Sequence, residues 1–266
     1  MLKDITLGQF FPIESPLHRM DPRTKILILI MLIVSIFIAK GPYCYALVTV
    51  FTLSIILLSR VPLSMYLKGL KPIWFVIIFT AILNVFLTPG RRIYILEYQT
   101  HITWEGLILA GKMAIRLILL IIASSALTYT TSPIRLTDGI EKLLKPLARL
   151  GLPTHELAMM MSIAIRFIPT LIEETDKIMK AQKARGADFD SGSLLHRMRA
   201  LAPMLVPLFI SAFRRADELA VAMECRCYRG GDHRTRLNEI HFSVIDFVAI
   251  IVFVLFFIAI LWLQLS

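Results

Sequence analysis

Apolar residues in this chain fall in long runs, not at the spacing of a soluble core. Five runs approach the roughly 20 residues that a helix needs to cross a bilayer. Their cores are Ile26–Ala39, Tyr45–Ser59, Ile73–Pro89, Gly106–Tyr129 and Val244–Leu265. The first two are short, and Gly41-Pro42 marks the turn between them. Between the fourth and fifth runs the pattern changes. Ile140, Leu143, Leu144 and Leu147 fall at i, i+3, i+4 and i+7, which predicts a helix over Thr137–Leu150 with one apolar stripe. Gly151-Leu152-Pro153 stops it. Two longer helices follow, from about Thr154 to Arg185 and from about Leu194 to Tyr228. Gly186 closes the first and Gly230-Gly231 the second, because glycine accepts left-handed dihedrals. Residues Phe189–Ser193 form the loop between them.

The two long helices are poor spans. Leu157–Ile172 contains Arg166 and Pro169, and Leu201–Phe213 is short and carries Pro203 and Pro207. Charges crowd their ends, so amphipathic helices lying in the membrane interface fit better; a seven-span count stays open. The expected fold is an all-α membrane protein of about five transmembrane helices plus a cytoplasmic domain of long amphipathic helices. Residues 1–131 hold four spans, 132–243 the cytoplasmic domain and 244–266 the last span.

Basic residues orient the chain. Lys3, Arg19, Arg23 and Lys25 precede the first span, and 17 Lys and Arg lie from Arg135 to Arg236. Both regions are therefore expected in the cytoplasm of a multi-pass plasma-membrane protein, with four crossings between them and the C-terminus external. The first 25 residues are charged and lack a short apolar core with a cleavage site, so the first span is expected to be retained.

Composition agrees with a bilayer setting: 57% of residues are apolar and the mean hydropathy is +0.72. The net charge of +10 sits mostly in residues 132–236 and suits anionic lipid or an acidic protein partner rather than nucleic acid. Three cysteines, Cys44, Cys225 and Cys227, give no disulfide framework.

The two long helices end alike. Asp176, Ala181 and Arg185 in one match Asp217, Ala222 and Arg226 in the other, 41 residues on. Small residues flank each arginine: Ala184 and Gly186, then Cys225 and Cys227. A guanidinium between small neighbours is sterically free to offer its planar fork to a carboxylate. Two such ends suit two similar partners or a partner dimer. The plainer alternative is that each arginine only favours the negative helix end, by about 0.3–1 kcal/mol.

These residues resemble a known family. Ser15-Pro16-Leu17-His18-Arg19-Met20-Asp21-Pro22-Arg23-Thr24-Lys25 resembles the N-terminal signature of the T component of energy-coupling factor transporters. Arg166-Phe167-Ile168-Pro169 with Ala181–Gly186, and Ala222–Tyr228, are similar to its two coupling motifs. The resemblance implies a coupling subunit, not an enzyme, in an ABC importer for a vitamin or metal ion. Its implied partners are two ABC ATPases and a small membrane S component that binds substrate. ATP and Mg would belong to the ATPases, with no cofactor on this chain. Arg185 with Ala184 and Gly186, and Arg226 with Cys225 and Cys227, match the docking positions. The family writes the second motif Ala-Arg-Gly; with both flanks Cys here, helix ending is expected to pass to Gly230 or Gly231. Asp21 and Pro22 read as the N-cap and first residue of the first span, with Arg23 and Lys25 at the headgroups.

Other chemistry finds little support. No phosphate-cradling Gly-rich motif is present, and His155-Glu156 lacks the second histidine of a zinc-protease helix. Cys225, Cys227, His233 and His241 match no common zinc spacing. Lys112 and Arg116 share one face of the fourth span and are candidates for contact with the substrate-binding partner, or for a structural role. Asn84 suits a helix–helix hydrogen bond. A self-sufficient secondary transporter or channel is the alternative function, but the spans hold almost no titrating acid.

Overall fold

Proline and a capping residue start the first long helices. In the computed structural model, which describes residues 10–95, 98–146, 151, 153–187, 194–230 and 241–265, a short α1 (Pro16–Arg19) precedes α2 (Pro22–Ile38). The Asp21 carboxylate accepts the Arg23 N–H at 2.8 Å, and Pro22 fills the first helical turn, where its missing N–H is harmless. α3 (Pro42–Ser59) also begins with proline, after Gly41 and without a side-chain cap. The third apolar run starts earlier than its composition suggested. α4 (Leu63–Leu70) leads through a 3-10 turn at Lys71–Ile73 into α5 (Trp74–Leu87), so Lys68 and Lys71 are helical rather than in a loop. A two-stranded antiparallel hairpin follows, β1 (Arg92–Ile95) with β2 (Tyr98–Thr103), which the sequence reading did not expect. Then come α6 (Trp104–Thr130), α7 (Pro133–Leu144), α8 (Thr154–Ala184), α9 (Leu194–Cys225) and α10 (Val244–Leu265). The expected loop at 189–193 and residues 147–150 of the expected Thr137–Leu150 helix lie outside the described residues.

By length and composition, Pro42–Ser59, Leu63–Leu87, Trp104–Thr130, Thr154–Ala184 and Val244–Leu265 are apolar enough to cross a membrane. Thus α8, read from sequence as interfacial, also qualifies, at the lowest mean hydropathy of the five, 1.3. α2, the expected first span, has 17 residues, the short end of the spanning range. The chain is an all-helical, multi-pass membrane protein apart from the small hairpin.

Contacts divide it into two compact units, Gly8–Gly139 with Ile240–Ser266, and Ile140–Glu239. In the first, Leu32 and Ile36 of α2, Val48 of α3, Leu119 and Ala123 of α6, and Phe253, Phe256 and Ile260 of α10 form one buried cluster. Small residues set the spacing. Ala110, Ala123 and Ala126 are buried along α6, and a Cβ on Gly106 would come within 2.8 Å of the Asn84 carbonyl oxygen of α5. Asn84 itself donates to the Thr80 carbonyl at 2.8 Å, one turn back in its own helix, rather than bridging to a neighbour. Outward faces are apolar and exposed, as at Phe75, Phe79 and Phe86 of α5 and Phe247, Ile251 and Leu255 of α10, which suits lipid contact.

The N-terminal signature is a clasp rather than a headgroup anchor. Asp246, in the first turn of α10, is fully buried. One of its oxygens accepts the Asp21 N–H at 2.8 Å; the other accepts the Ser243 N–H and hydroxyl at 2.7 and 2.8 Å. The Asp21 carboxylate pairs with Arg23, whose guanidinium lies 4.4 Å over the Phe242 ring. Lys25 turns inward and donates to the Thr130 carbonyl at 2.9 Å and the Thr131 hydroxyl at 3.1 Å, at the end of α6. His18 is buried beside them. Its Nε2 meets the Phe11 carbonyl at 2.9 Å, and a carbonyl only accepts, so Nε2 carries the proton. Nδ1 then accepts from the Ser15 hydroxyl at 2.7 Å. Burial pushes the imidazole below its ordinary pKa; the Phe11 hydrogen bond opposes this and the Lys25 charge adds to it.

Candidate functional site

The second unit is built on α8 and α9. Gln182 Nε2 of α8 donates to the Pro203 carbonyl of α9 at 3.3 Å, and Arg215 of α9 meets Glu174 of α8 at 3.4 Å. As α8 advances between these contacts α9 recedes, so the helices run antiparallel. The first contact has a cause in the sequence. Pro207 has no N–H, which leaves the carbonyl four residues back, at Pro203, without a helical partner. Gln182 supplies the missing donor.

The second contact falls on a special position. Glu174 and Arg215 are equivalent in the repeated helix ends, each eleven residues before its arginine. A pair of equivalent residues touching each other across two antiparallel helices marks a local two-fold axis. Arg185 and Arg226 each lie about three turns beyond that pair, in opposite directions, on the order of 30 Å apart. The fold therefore separates the two arginines, one at each end of the crossed pair.

Both tips close in the same way. Gly186 has φ +86°, its N–H bonds the Lys183 carbonyl at 3.0 Å, and the Ala187 N–H bonds the Gln182 carbonyl at 3.0 Å. On α9, Cys227 has φ +56°, its N–H bonds the Glu224 carbonyl at 2.8 Å, and the Tyr228 N–H bonds the Met223 carbonyl at 3.0 Å. Each is the left-handed helix stop in which the orphan carbonyls of the last turn are satisfied from beyond the end. This corrects the expectation that Gly230 or Gly231 ends the helix. Cys227 takes the left-handed position itself, although a side chain there costs roughly 1–2 kcal/mol that glycine avoids.

Arg185 and Arg226 consequently hold the same place, directly after the last helical residue and before the left-handed one. Ala184, Arg185, Gly186, Cys225, Arg226 and Cys227 are all exposed. Among the described residues neither guanidinium has a bonding partner, and both side chains are exposed. Cys225 and Cys227 are free thiols, and no group of three metal-ligating side chains occurs among the described residues; His233 lies outside them.

Lys112 and Arg116 sit on α6, far in sequence from these tips. Arg116 donates to the Tyr45 hydroxyl at 2.9 Å and lies 5.4 Å over the Phe37 ring, so it faces α2 and α3 rather than standing alone. Sequence reasoning missed Asp246, Lys25, Gln182, Glu174 and Arg215 as partners. Asp246 did carry a signal: an acid in the first turn of an almost acid-free span, three residues after a serine, is a helix-start pairing. For Glu174 and Arg215 the signal was their equal offset from the two arginines.

Comparisons with known proteins identify the family. Residues 14–237 match the family model CbiQ, described as cobalt transport protein. The chain is 57% identical over 250 residues to the energy-coupling factor transporter transmembrane protein EcfT of Clostridium kluyveri, covering 94% of this chain and 93% of the relative. It is 49% identical over 264 residues to the protein of the same name in Acidaminococcus fermentans, covering 99% and 98%. With that of Bacillus subtilis it shares 48% over 241 residues, covering 90% and 91%. At these identities over nearly full length, the chain belongs to the family of transmembrane components of energy-coupling factor transporters.

Proposed function

We propose that the chain is the coupling subunit of an energy-coupling factor importer, in which two partner ATPases drive uptake of a vitamin or metal ion through a separate S component. ATP and Mg belong to the ATPases. One observation carries the reading: Arg185 and Arg226 are exposed at identical helix stops related by a local two-fold. A dimer of similar ATPases presents two similar acidic grooves about its own two-fold, and a pseudo-symmetric pair of arginine tips matches such a partner. α8 and α9 then act as one lever pinned by Gln182 and the Glu174–Arg215 pair. In this reading the N-terminal clasp and the tips are cytoplasmic, and the C-terminus of α10 is external. Exposed apolar side chains along α9, among them Leu205, Phe209 and Phe213, give the S component or lipid a surface to cover.

The test is co-purification. The wild-type chain should carry both ATPases through a pull-down in detergent, and Arg185→Glu with Arg226→Glu should release them while leaving the chain folded. Full retention of both ATPases by the double variant would contradict the role.

A further inference from the structure

A cleft toward the end of the first unit remote from the clasp is bordered by three cations; the acid in the first turn of α6, Glu105, accepts the Arg91 N–H and does not line it. Lys40 follows α2, and Lys112 and Arg116 lie one turn apart on α6; with Tyr45, Leu109 and Met113 they line a cleft of about 170 Å³. None of the lining residues is acidic. The first turn of α3, which supplies Tyr45, also holds no acidic residue and no side-chain cap. Its positive dipole end is thus uncompensated beside the cations.

The depth of the cleft makes this charge significant. Lys25 bonds Thr130 at one level of α6, and Arg116 bonds Tyr45 at another. The rise of α6 between them is about 20 Å. Counted from the Thr130 level, Arg116 lies about two-thirds of the way along a roughly 30 Å span, and Lys112 lies one turn further, toward its far edge. Cations there are costly without a counter-charge. Tyr45 and Phe37 satisfy part of Arg116, but its Nε is buried with no acceptor, and neither the Lys40 nor the Lys112 ammonium bonds any described residue. The cleft therefore supplies donors and positive potential, with no acidic residue among those that line it.

We propose that this cleft binds a phosphate group, supplied by an anionic phospholipid whose headgroup is drawn down between Lys40, Lys112 and Arg116. Lys112 and Arg116 border the cleft from α6 and Lys40 from the end of α2, so a phosphate has an oxygen to offer each cation. The cleft has room for one phosphate, not for a nucleotide. Exposed Ile108 and Ile115 on α6 and Phe37 on α2 offer the apolar surface along which acyl chains would lie. The site is independent of the ATPase-coupling reading, since none of its residues belongs to α8 or α9.

The experiment uses the full chain in a non-ionic detergent, titrated separately with phosphatidylglycerol, phosphatidylcholine and inorganic phosphate. Binding is read by native mass spectrometry and by the shift in melting temperature. Lys40→Gln with Lys112→Gln should not lower the lipid-free melting temperature, because neither ammonium bonds a described residue and their mutual repulsion is relieved. The same variant should weaken phosphatidylglycerol binding roughly tenfold for each charge-assisted contact removed. Lys68→Gln, exposed on α4, should bind like wild type. Protection by phosphatidylglycerol alone identifies the phosphate as a lipid headgroup; equal protection by inorganic phosphate supports the same chemistry from a free ion. Equal phosphatidylglycerol affinity in wild type and the double variant, or no preference over phosphatidylcholine, would overturn the proposal.

Discussion

Replacing Cys227 by glycine should tighten the end of α9. Cys227 sits at φ +56°, where Cβ crowds the carbonyl and costs roughly 1–2 kcal/mol, while Gly186 occupies the matching place on α8 without that cost. Glycine also gives the open form more freedom, which offsets about 0.5–1 kcal/mol. The net gain is then about 0.5–1 kcal/mol in closing the last turn, a factor of roughly 2–5 in its open population. Hydrogen exchange reads this directly, because the Cys227 and Tyr228 N–H groups are bonded only when the stop is formed, to Glu224 and Met223. Exchange at Tyr228 should slow by that factor in Cys227→Gly, and at Ala187 of α8 it should not change. Faster exchange at Tyr228 would refute the left-handed assignment and return the helix stop to the glycines beyond.

Three further outcomes follow from the packing. Asp246→Ala strips the acceptors from the Asp21 and Ser243 N–H groups, so it should lower stability in denaturant titration by about 3 kcal/mol, and Asp246→Asn by less, since one oxygen remains. The His18 pKa is lowered on folding, so its neutral form stabilises the clasp. That contribution is full above the ordinary imidazole value of about 6.5 and lost as pH falls through the lower folded value; His18→Gln should flatten the acid limb of a melting-temperature profile. A double-mutant cycle on Glu174 and Arg215 should give a coupling of only about 0.5 kcal/mol, because both side chains are about a third exposed or less and solvent screens them, with the charge-swapped pair recovering it.

Four of the five expected spans and the like-ended pair of long helices are legible because each obeys a local rule. A bilayer demands long apolar runs, and a repeated Asp-Ala-Arg spacing survives without knowledge of the fold. The clasp was not legible, because Asp21 and Asp246 meet across nearly the whole chain and no local pattern links them. Lys25 read as a headgroup anchor for the same reason: its acceptors belong to the far end of α6. The Leu63–Leu70 helix was hidden by Pro62 and two lysines, which mimic a loop, although proline is well tolerated at a helix start. Cys227 was misjudged because the left-handed stop is usually glycine, and the chain here bears the steric cost while keeping its two carbonyls satisfied. Asn84 reads as a bridge to another helix, yet its amide donates to the Thr80 carbonyl one turn back in its own.

The central claim is that two symmetric arginine tips grip two partner ATPases. Titrating the detergent-solubilised chain with the purified ATPase pair, for wild type, Arg185→Glu, Arg226→Glu and the double variant, measures it most directly. Each single reversal should weaken binding by a similar factor, about 10- to 100-fold for a lost charge-assisted fork, with the double losing both. Affinity unchanged in both single variants would contradict the account.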